Sequence, residues 1–306
     1  MLEQRELAGV GEARRLVLPA RAGARGRARA REGAAGLGAW AAALAVAGLL
    51  GWLVGEIAAG GAPALSWSLL AEAPADAGRA GGILPILVST LLLVGVCLSV
   101  ALPLGLGAAV WLAELAAAGG RRGRWVRASL DALAGVPSIV MGLFGSALFC
   151  RTLGLGYSIL AGGLTLACMA LPIAVRAAEQ GLREAAGELR RAAAALGLGR
   201  AATLLHVLLP AAAPALLVGV VLGIGRAAAE TAALLFTSGY VDRMPGSLLD
   251  SGRSLSIHIY DLAMHVPGGN HRAYASALVL LAVLLCLNAL AGWMADRWLA
   301  RAHARC

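Results

Sequence analysis

Arg226 and Glu230 are the residues of this 306-residue chain whose types and spacing could do chemistry. Both sit inside an otherwise apolar run. A charge at mid-bilayer costs about 2.5–3.5 kcal/mol on insertion scales, so two will not persist on a lipid face without compensation. Four residues apart on a helix, they share a face and can pair. At about 100° per residue, Gly219, Gly223, Arg226 and Glu230 fall within a sector roughly 60° wide. Small residues let helices approach closely, so the polar face is also expected to be the packing face. Two readings stay open. The pair is either self-satisfied and fixes helix packing, or it lines a pathway in which Arg226 attracts an anion and Glu230 holds or releases it. Neither supplies the nucleophile–base or metal constellation that an intramembrane enzyme needs.

The elements that must position these charges are membrane spans. The chain is 59% hydrophobic and 14% charged, against about 45–50% and about 25% in soluble domains. This is the composition of an integral membrane protein and excludes a cytosolic enzyme built around one water-facing core. The net charge is +9, and all 26 basic residues are Arg. The basic balance is not read as a nucleic-acid footprint, and no nucleic-acid partner is expected. With no Lys, no Walker A loop can exist, because that loop needs its Lys on the phosphates. If ATP drives this protein, another chain hydrolyses it. Cys97, Cys150, Cys168, Cys286 and Cys306 form no C-x-x-C pair, and four lie in or beside apolar runs, where Cys behaves as a small hydrophobe. The five His residues are scattered and make no metal-ligand cluster. No metal or other cofactor is expected in this chain.

About 20 apolar residues cross the hydrocarbon core as a helix. Six such runs occur, at about residues 37–57, 83–112, 130–150, 157–175, 211–236 and 274–298. Arg accumulates in loops that stay in the cytoplasm. Arg14, Arg15, Arg21, Arg25, Arg27, Arg29 and Arg31 precede the first run. Arg121, Arg122, Arg124 and Arg127 follow the second; Arg183, Arg190, Arg191 and Arg200 follow the fourth; Arg297, Arg301 and Arg305 end the chain. Six spans put all four segments on one side, so both termini are expected in the cytoplasm. Residues 1–36 lack the short apolar core and cleavage site of a signal peptide. They read as a basic, disordered cytoplasmic tail that can touch lipid headgroups. Residues 37–82 are expected to hold the first span and an outer loop, 83–298 the core, and 299–306 a second cytoplasmic tail. At span ends, Arg176 is expected to snorkel, Glu114 to be solvated, and Asp131 to suit a helix N-terminus. Pro137 and Pro172 are expected to bend their helices.

Between spans four and five, residues 179–202 are rich in helix formers. Leu182, Leu189 and Leu196 repeat every seven residues and form one narrow stripe. Gly197 and Gly199 should stop the helix. This is either a solvated connector or a short docking helix at residues 180–202 that presents an apolar ridge to a cytoplasmic partner. Here the chain resembles permease subunits of importing ABC transporters, which carry a Glu-Ala-Ala start, a Gly, and an aliphatic-x-Leu-Pro ending. Gly197, nine intervening residues, Val207 and then Leu209-Pro210 fit the second half. That register places Arg191, Ala192 and Ala193 at the Glu-Ala-Ala position, while a literal Glu184-Ala185-Ala186 lies one heptad earlier. The resemblance implies a coupling helix seated in a groove of an ATPase subunit.

Longer strings narrow the resemblance. LPLGLGAAVWLAEL from Leu102, LAGVPSIVMGLFG from Leu133, LPIAVRAAEQGLR from Leu171 and GIGRAAAETAALLFT from Gly223 are similar to phosphate-specific ABC permeases. The last resembles that family's Arg-x-x-Gly-Glu-Thr-Ala signature, with Ala229 at the usual Gly. Ala233 stands where Pro is common, which implies a straighter helix. IHIYDLAMH, from Ile257, and Asn288 in the last span point to the PstA type. The resemblance implies an all-α integral membrane protein with six transmembrane helices and the type I ABC importer permease fold, lying in the inner membrane. It implies a pathway containing Arg226, Glu230, Thr231 and Arg176. The partners implied are a PstC-type permease, an ATPase dimer carrying ATP and Mg, an extracytoplasmic phosphate-binding protein, and membrane lipid. Phosphonate, sulfate or molybdate as cargo, or a transporter or channel without an ATPase, are the competing readings.

Overall fold

The computed structural model describes residues 20–116 and 120–303, so Arg14, Arg15, Arg305 and Cys306 lie outside the described residues. The chain divides into two units, Met1–Glu56 and Ile57–Cys306. Helix α1 (Ala20–Gly61) carries the first unit. Residues 20–36, expected to belong to a disordered tail, are helical, consistent with Ala and Arg ranking among the strongest helix formers. From Leu37 to Val54 the apolar side chains of α1 are exposed all round, the condition of a helix whose surroundings are lipid or another chain.

The second unit opens with the short helix α2 (Trp67–Ala71) and a two-stranded antiparallel hairpin, β1 (Pro74–Ala75) and β2 (Ala80–Gly81). The helices α3 (Leu84–Val110), α4 (Arg121–Ala134), α5 (Ser138–Gly145), α6 (Ile159–Ala195), α7 (Arg200–Thr203), α8 (Leu209–Ala229), α9 (Ala232–Leu235), α10 (Leu255–Met264) and α11 (Asn270–His303) follow. Helix α6 packs along both α3 and α8, while α11 packs on α8 and α10. The core is built from Leu, Val, Ala and Cys: Leu93, Val94, Cys97, Leu166, Ala170 and Ala227 at one level, and Ala109, Leu112, Val175, Leu182 and Leu208 nearer the Arg-rich end. Lipid tails are as apolar as Leu, so close packing of small residues, rather than escape from water, holds such helices together.

Five described helices are long and apolar enough to cross a membrane, and the α4–α5 pair would make a sixth if it is one span. The span expected at about residues 130–150 falls on that pair. It is bent by 103° at Gly135, Val136 and Pro137, where Pro137 offers no N–H and disfavours helical backbone at the residue before it. The bend expected at Pro137 is present, and Pro172 lies inside helix α6 without ending it. Residues 237–273 are tied down by backbone hydrogen bonds to the start of α6, from Ile159 N–H to Asp250 O at 2.9 Å and from Leu160 N–H to Leu248 O at 2.8 Å. The Asp250 carboxylate accepts the N–H groups of Gly246 and Ser247, which hold it below the ordinary carboxylate range.

Helix α5 lies hard against α9. A Cβ built on Gly142 would stand 2.8 Å from Ala233 Cα, so only a residue without a side chain fits. Gly142→Ala is expected to destabilise the protein by about 1–3 kcal/mol, the usual range for overpacking. A thermal midpoint unchanged from the parent would refute the close approach.

Candidate functional site

Helix α8 does not run through residue 236. It ends at Ala229, and Glu230 takes up extended backbone with φ −74° and ψ 129°. This overturns the straight helix expected from Ala233. A helix end leaves carbonyls without partners, and in a membrane protein they must be satisfied inside the protein. The Ser256 hydroxyl on α10 donates to the Glu230 carbonyl at 2.6 Å. Ser256 in turn lies 2.8 Å from the hydroxyl of Ser254, which caps α10 by accepting the Ile257 N–H. The Leu255 N–H donates to Thr90 Oγ1 on α3 at 2.8 Å, and that hydroxyl donates to Ile86 O at 2.7 Å. A buried chain of hydroxyls therefore links α3, the start of α10 and the break after α8. The links between elements, Ser256 to Glu230 and Leu255 to Thr90, could not be read from local spacing, because the partners are distant in sequence.

The expected charge pair forms across this break. Arg226 Nη2 lies 3.6 Å from Glu230 Oε2, with the Glu230 side chain 7% exposed and that of Arg226 43% exposed. The other carboxylate oxygen accepts the Ala233 N–H at 3.5 Å. Arg226 also borders a cavity of about 190 Å³ lined by Leu133, Ala134, Val136, Met141, Met169 and Ile173. It is the one charged group among those lining residues. The packing face is separate from it. Gly219 is buried where a Cβ would meet Ala177 on α6 at 2.9 Å, and Gly223 is buried near Leu98, whereas Arg226 opens toward the cavity. Thr231 occupies the break itself, and its carbonyl accepts the Leu235 N–H. Arg176 is not among the residues lining this cavity. It pairs instead with Asp131, which lies in the last turn of α4 and not at the helix N-terminus expected for it.

Ion pairs gather where the long helix α6 outruns its neighbours. Glu179 is buried and accepts Arg127 Nε at 2.8 Å, while Arg183 Nη2 lies 2.7 Å from the same oxygen. Glu114, expected to be solvated, pairs with Arg190. The Glu179–Arg183 spacing is a readable i,i+4 signal, but Arg127 arrives from another helix and left no local sign of it. Leu182 is fully buried in the core, whereas Leu189 is 38% and Leu196 79% exposed. The heptad stripe thus leaves the bundle partway along. Residues 180–195 continue α6 and do not form the separate short helix expected there. Arg191 and Ala192 are exposed and Ala193 is buried. Gly197, at φ +72°, ends the helix as expected. The Leu198 N–H bonds to Ala193 O, and the Gly197 N–H to Ala194 O, both at 3.0 Å, the two bonds of a glycine-terminated helix.

At the opposite end, Arg253 donates to Tyr240 O at 2.9 Å and lies 3.4 Å from Asp261 and 4.0 Å from Asp242. Behind this group His258 is buried, and its Nδ1 has no partner among the described residues. Burial, with Arg253 nearby, lowers its pKa from 6.5 to about 4.

A bundle of membrane-length helices with a broken helix and a cationic cavity defines the class, a multi-span membrane transport protein. The match to solved structures agrees on fold. An inward-facing MetNI methionine ABC transporter chain superimposes with a TM-score of 0.50 at 20% identity, over 72% of this chain and 94% of that one. The family model for binding-protein-dependent transport system inner membrane components matches residues 101–301, and the chain belongs to that family. Its relatives include the probable ABC transporter permease protein YqgI of Bacillus subtilis, 30% identical over 81% of this chain and 90% of that protein. The phosphate transport system permease protein PstA 1 of Mycobacterium tuberculosis is 38% identical over 68% of this chain and 69% of its own length. The Haemophilus influenzae PstA is 31% identical over 78% and 84%.

Two outcomes follow from this geometry. Ser256→Ala leaves the Glu230 carbonyl unpaired and should cost about 1–3 kcal/mol, while Ser256→Thr keeps the hydroxyl; equal thermal midpoints for the two variants would contradict the assignment. For His258, the unfolded chain takes up a proton below about pH 6.5 and the folded one only near pH 4. Its contribution to stability is therefore complete above pH 6.5 and lost as pH falls toward 4, by up to roughly 3 kcal/mol. Thermal midpoints measured across that window should slope less in His258→Gln; an unchanged slope would exclude His258 as the source.

Proposed function

We propose that this chain is the PstA-type permease of an ATP-driven inorganic phosphate importer. The observation that carries the reading is Arg226: a half-exposed guanidinium at a small, otherwise apolar cavity, in a chain whose relatives are phosphate transport permeases. A PstC-type permease completes the pathway. An ATPase dimer supplies ATP and Mg chemistry at the Arg-rich end, and a phosphate-binding protein delivers cargo at the other. The Arg distribution supports an orientation with both termini in the cytoplasm.

In this reading the phosphate anion is drawn to Arg226 in a site where few other polar groups compete. At 3.6 Å the Glu230 carboxylate lies near Arg226 but beyond hydrogen-bonding distance, so the guanidinium keeps donors for an anion. Glu230 repels that anion and limits how long it stays, a balance a conducting site needs. Thr231, at the break, lets Glu230 reorient without unwinding α8. Arg176, held by Asp131, acts on the pathway only if that pair opens. Leu189, Arg191, Ala192 and Leu196 form the exposed part of the surface offered to the ATPase, with Gly197 setting its end; Leu182 and Ala193 support it from beneath.

The test is ATP-dependent uptake of radiolabelled phosphate into vesicles holding this chain with partner permease, ATPase and binding protein. Uptake should need ATP and be competed by phosphate but not sulfate. Arg226→Gln and Glu230→Gln should each lower it at least tenfold in complexes shown to be assembled. Uptake competed equally by sulfate would move the cargo to another oxyanion, and full uptake with Arg226→Gln would remove Arg226 from the pathway.

A further inference from the structure

We propose that α4 is an anchor for anionic phospholipid headgroups, with Arg121, Arg122 and Arg124 binding the phosphates and Trp125 lying among the headgroups. Around this helix, at about 100° per residue, Gly123 and Leu130 share one side, and both are buried. Trp125 lies near the centre of the other side, with Ala132 in line with it, Ala128, Arg121 and Arg122 within about 60° of it, and Arg124 at the edge of the face. All six are exposed, Trp125 at 64%. None of the three arginines has an ion-pair partner among the described residues. The remaining charges of the helix pair with α6, Arg127 with the buried Glu179 at 2.8 Å and Asp131 with Arg176.

Those pairs to α6 fix the depth of α4. They meet α6 at residues 176 and 179, within the last turns of its apolar span, which ends at Ala185. The outward face of α4 thus lies where the bundle leaves the hydrocarbon and phosphates are concentrated. Each basic side chain near the membrane surface attracts anionic headgroups, and Trp favours this interface. A protein partner fits the face less well, because three like charges around one ring leave no apolar centre of the kind a protein interface is built on, while an anionic lipid surface attracts all three. The anchor is independent of the cargo. It would also hold α4 in place at the mouth of the Arg226 cavity, since Leu133 and Ala134, at its C-terminal end, line that cavity.

The experiment uses the full chain in vesicles of dioleoylphosphatidylcholine and dioleoylphosphatidylglycerol, with one lipid or the other brominated. The signal of Trp125 is the difference in fluorescence quenching between the parent chain and Trp125→Phe. Brominated phosphatidylglycerol should quench it well above brominated phosphatidylcholine at equal mole fraction, and added salt should narrow the gap. Replacing one of the three arginines by Gln should lower the preference about fivefold, and the triple Lys variant should retain most of it. If the Gln variants do not fold, the salt titration and the Lys variant decide the matter on their own. Equal quenching by both lipids in the parent chain would overturn the proposal, leaving Trp125 in contact with lipid but the arginines without headgroup selectivity. So would the absence of quenching by either, which would place a protein over this face.

Discussion

A helix that ends inside a membrane protein must find donors for its last carbonyls, and the rest of this structure is arranged around that requirement after Ala229. Water is not there to supply them. The Ser256 hydroxyl supplies one at 2.6 Å, and the α10 segment that carries it is itself fixed to α3 through Thr90. The segment between the last two spans is consequently part of the site. Because α8 stops, Glu230 is free of helical geometry while still close enough to oppose Arg226. A continuous helix would have kept the two charges on one rigid face, bound to each other for good.

The ion pairs at the other end serve a different need. Helix α6 continues past its apolar span to Ala195, and beyond the bundle it has few neighbours to pack against. Glu179, Arg127, Arg183, Glu114, Arg190, Asp131 and Arg176 tie α6 to α4 and to the end of α3. Glu179 is the important member because it is buried: without both of its arginines it would be a stranded charge, a cost far larger than that of losing an exposed pair. Through these pairs the exposed end of α6 is joined to α4, whose C-terminal end borders the Arg226 cavity. In the function proposed above, that helix and its charge contacts would link the coupling surface to the pathway.

Much of this was legible in the sequence because membranes impose strong local rules. Span length and the crowding of Arg on one side read out the membrane-spanning character and five of the six expected spans without any tertiary information. Gly197 was legible as a helix stop, since only a glycine takes φ +72° without strain. Arg226 and Glu230 were legible as a pair, because two charges in an apolar run have few alternatives. The break after Ala229 was not legible. Nothing near it in the chain breaks helices, and the residue at which a Pro is common is Ala233. The break is stabilised from outside, by Ser256 on α10, and by Gly142 on α5 leaving room for Ala233.

The roles of Arg176, Asp131 and Glu114 were misread for the same reason. Taken singly, each charge at a span end is satisfied by water or headgroups, and the partners that claim them are tens of residues away. What the sequence by itself determined is therefore everything governed by solvent transfer and local backbone preference: the spans, their flanking arginines, the helix stop at Gly197 and the existence of an intramembrane charge pair. What only the tertiary structure decided is where α8 ends, which hydroxyl satisfies that end, which acid meets which arginine, and what space Arg226 faces. These are set by contacts between elements far apart in the chain, whose free energies depend on distance and burial, and neither is encoded in the local order of residues.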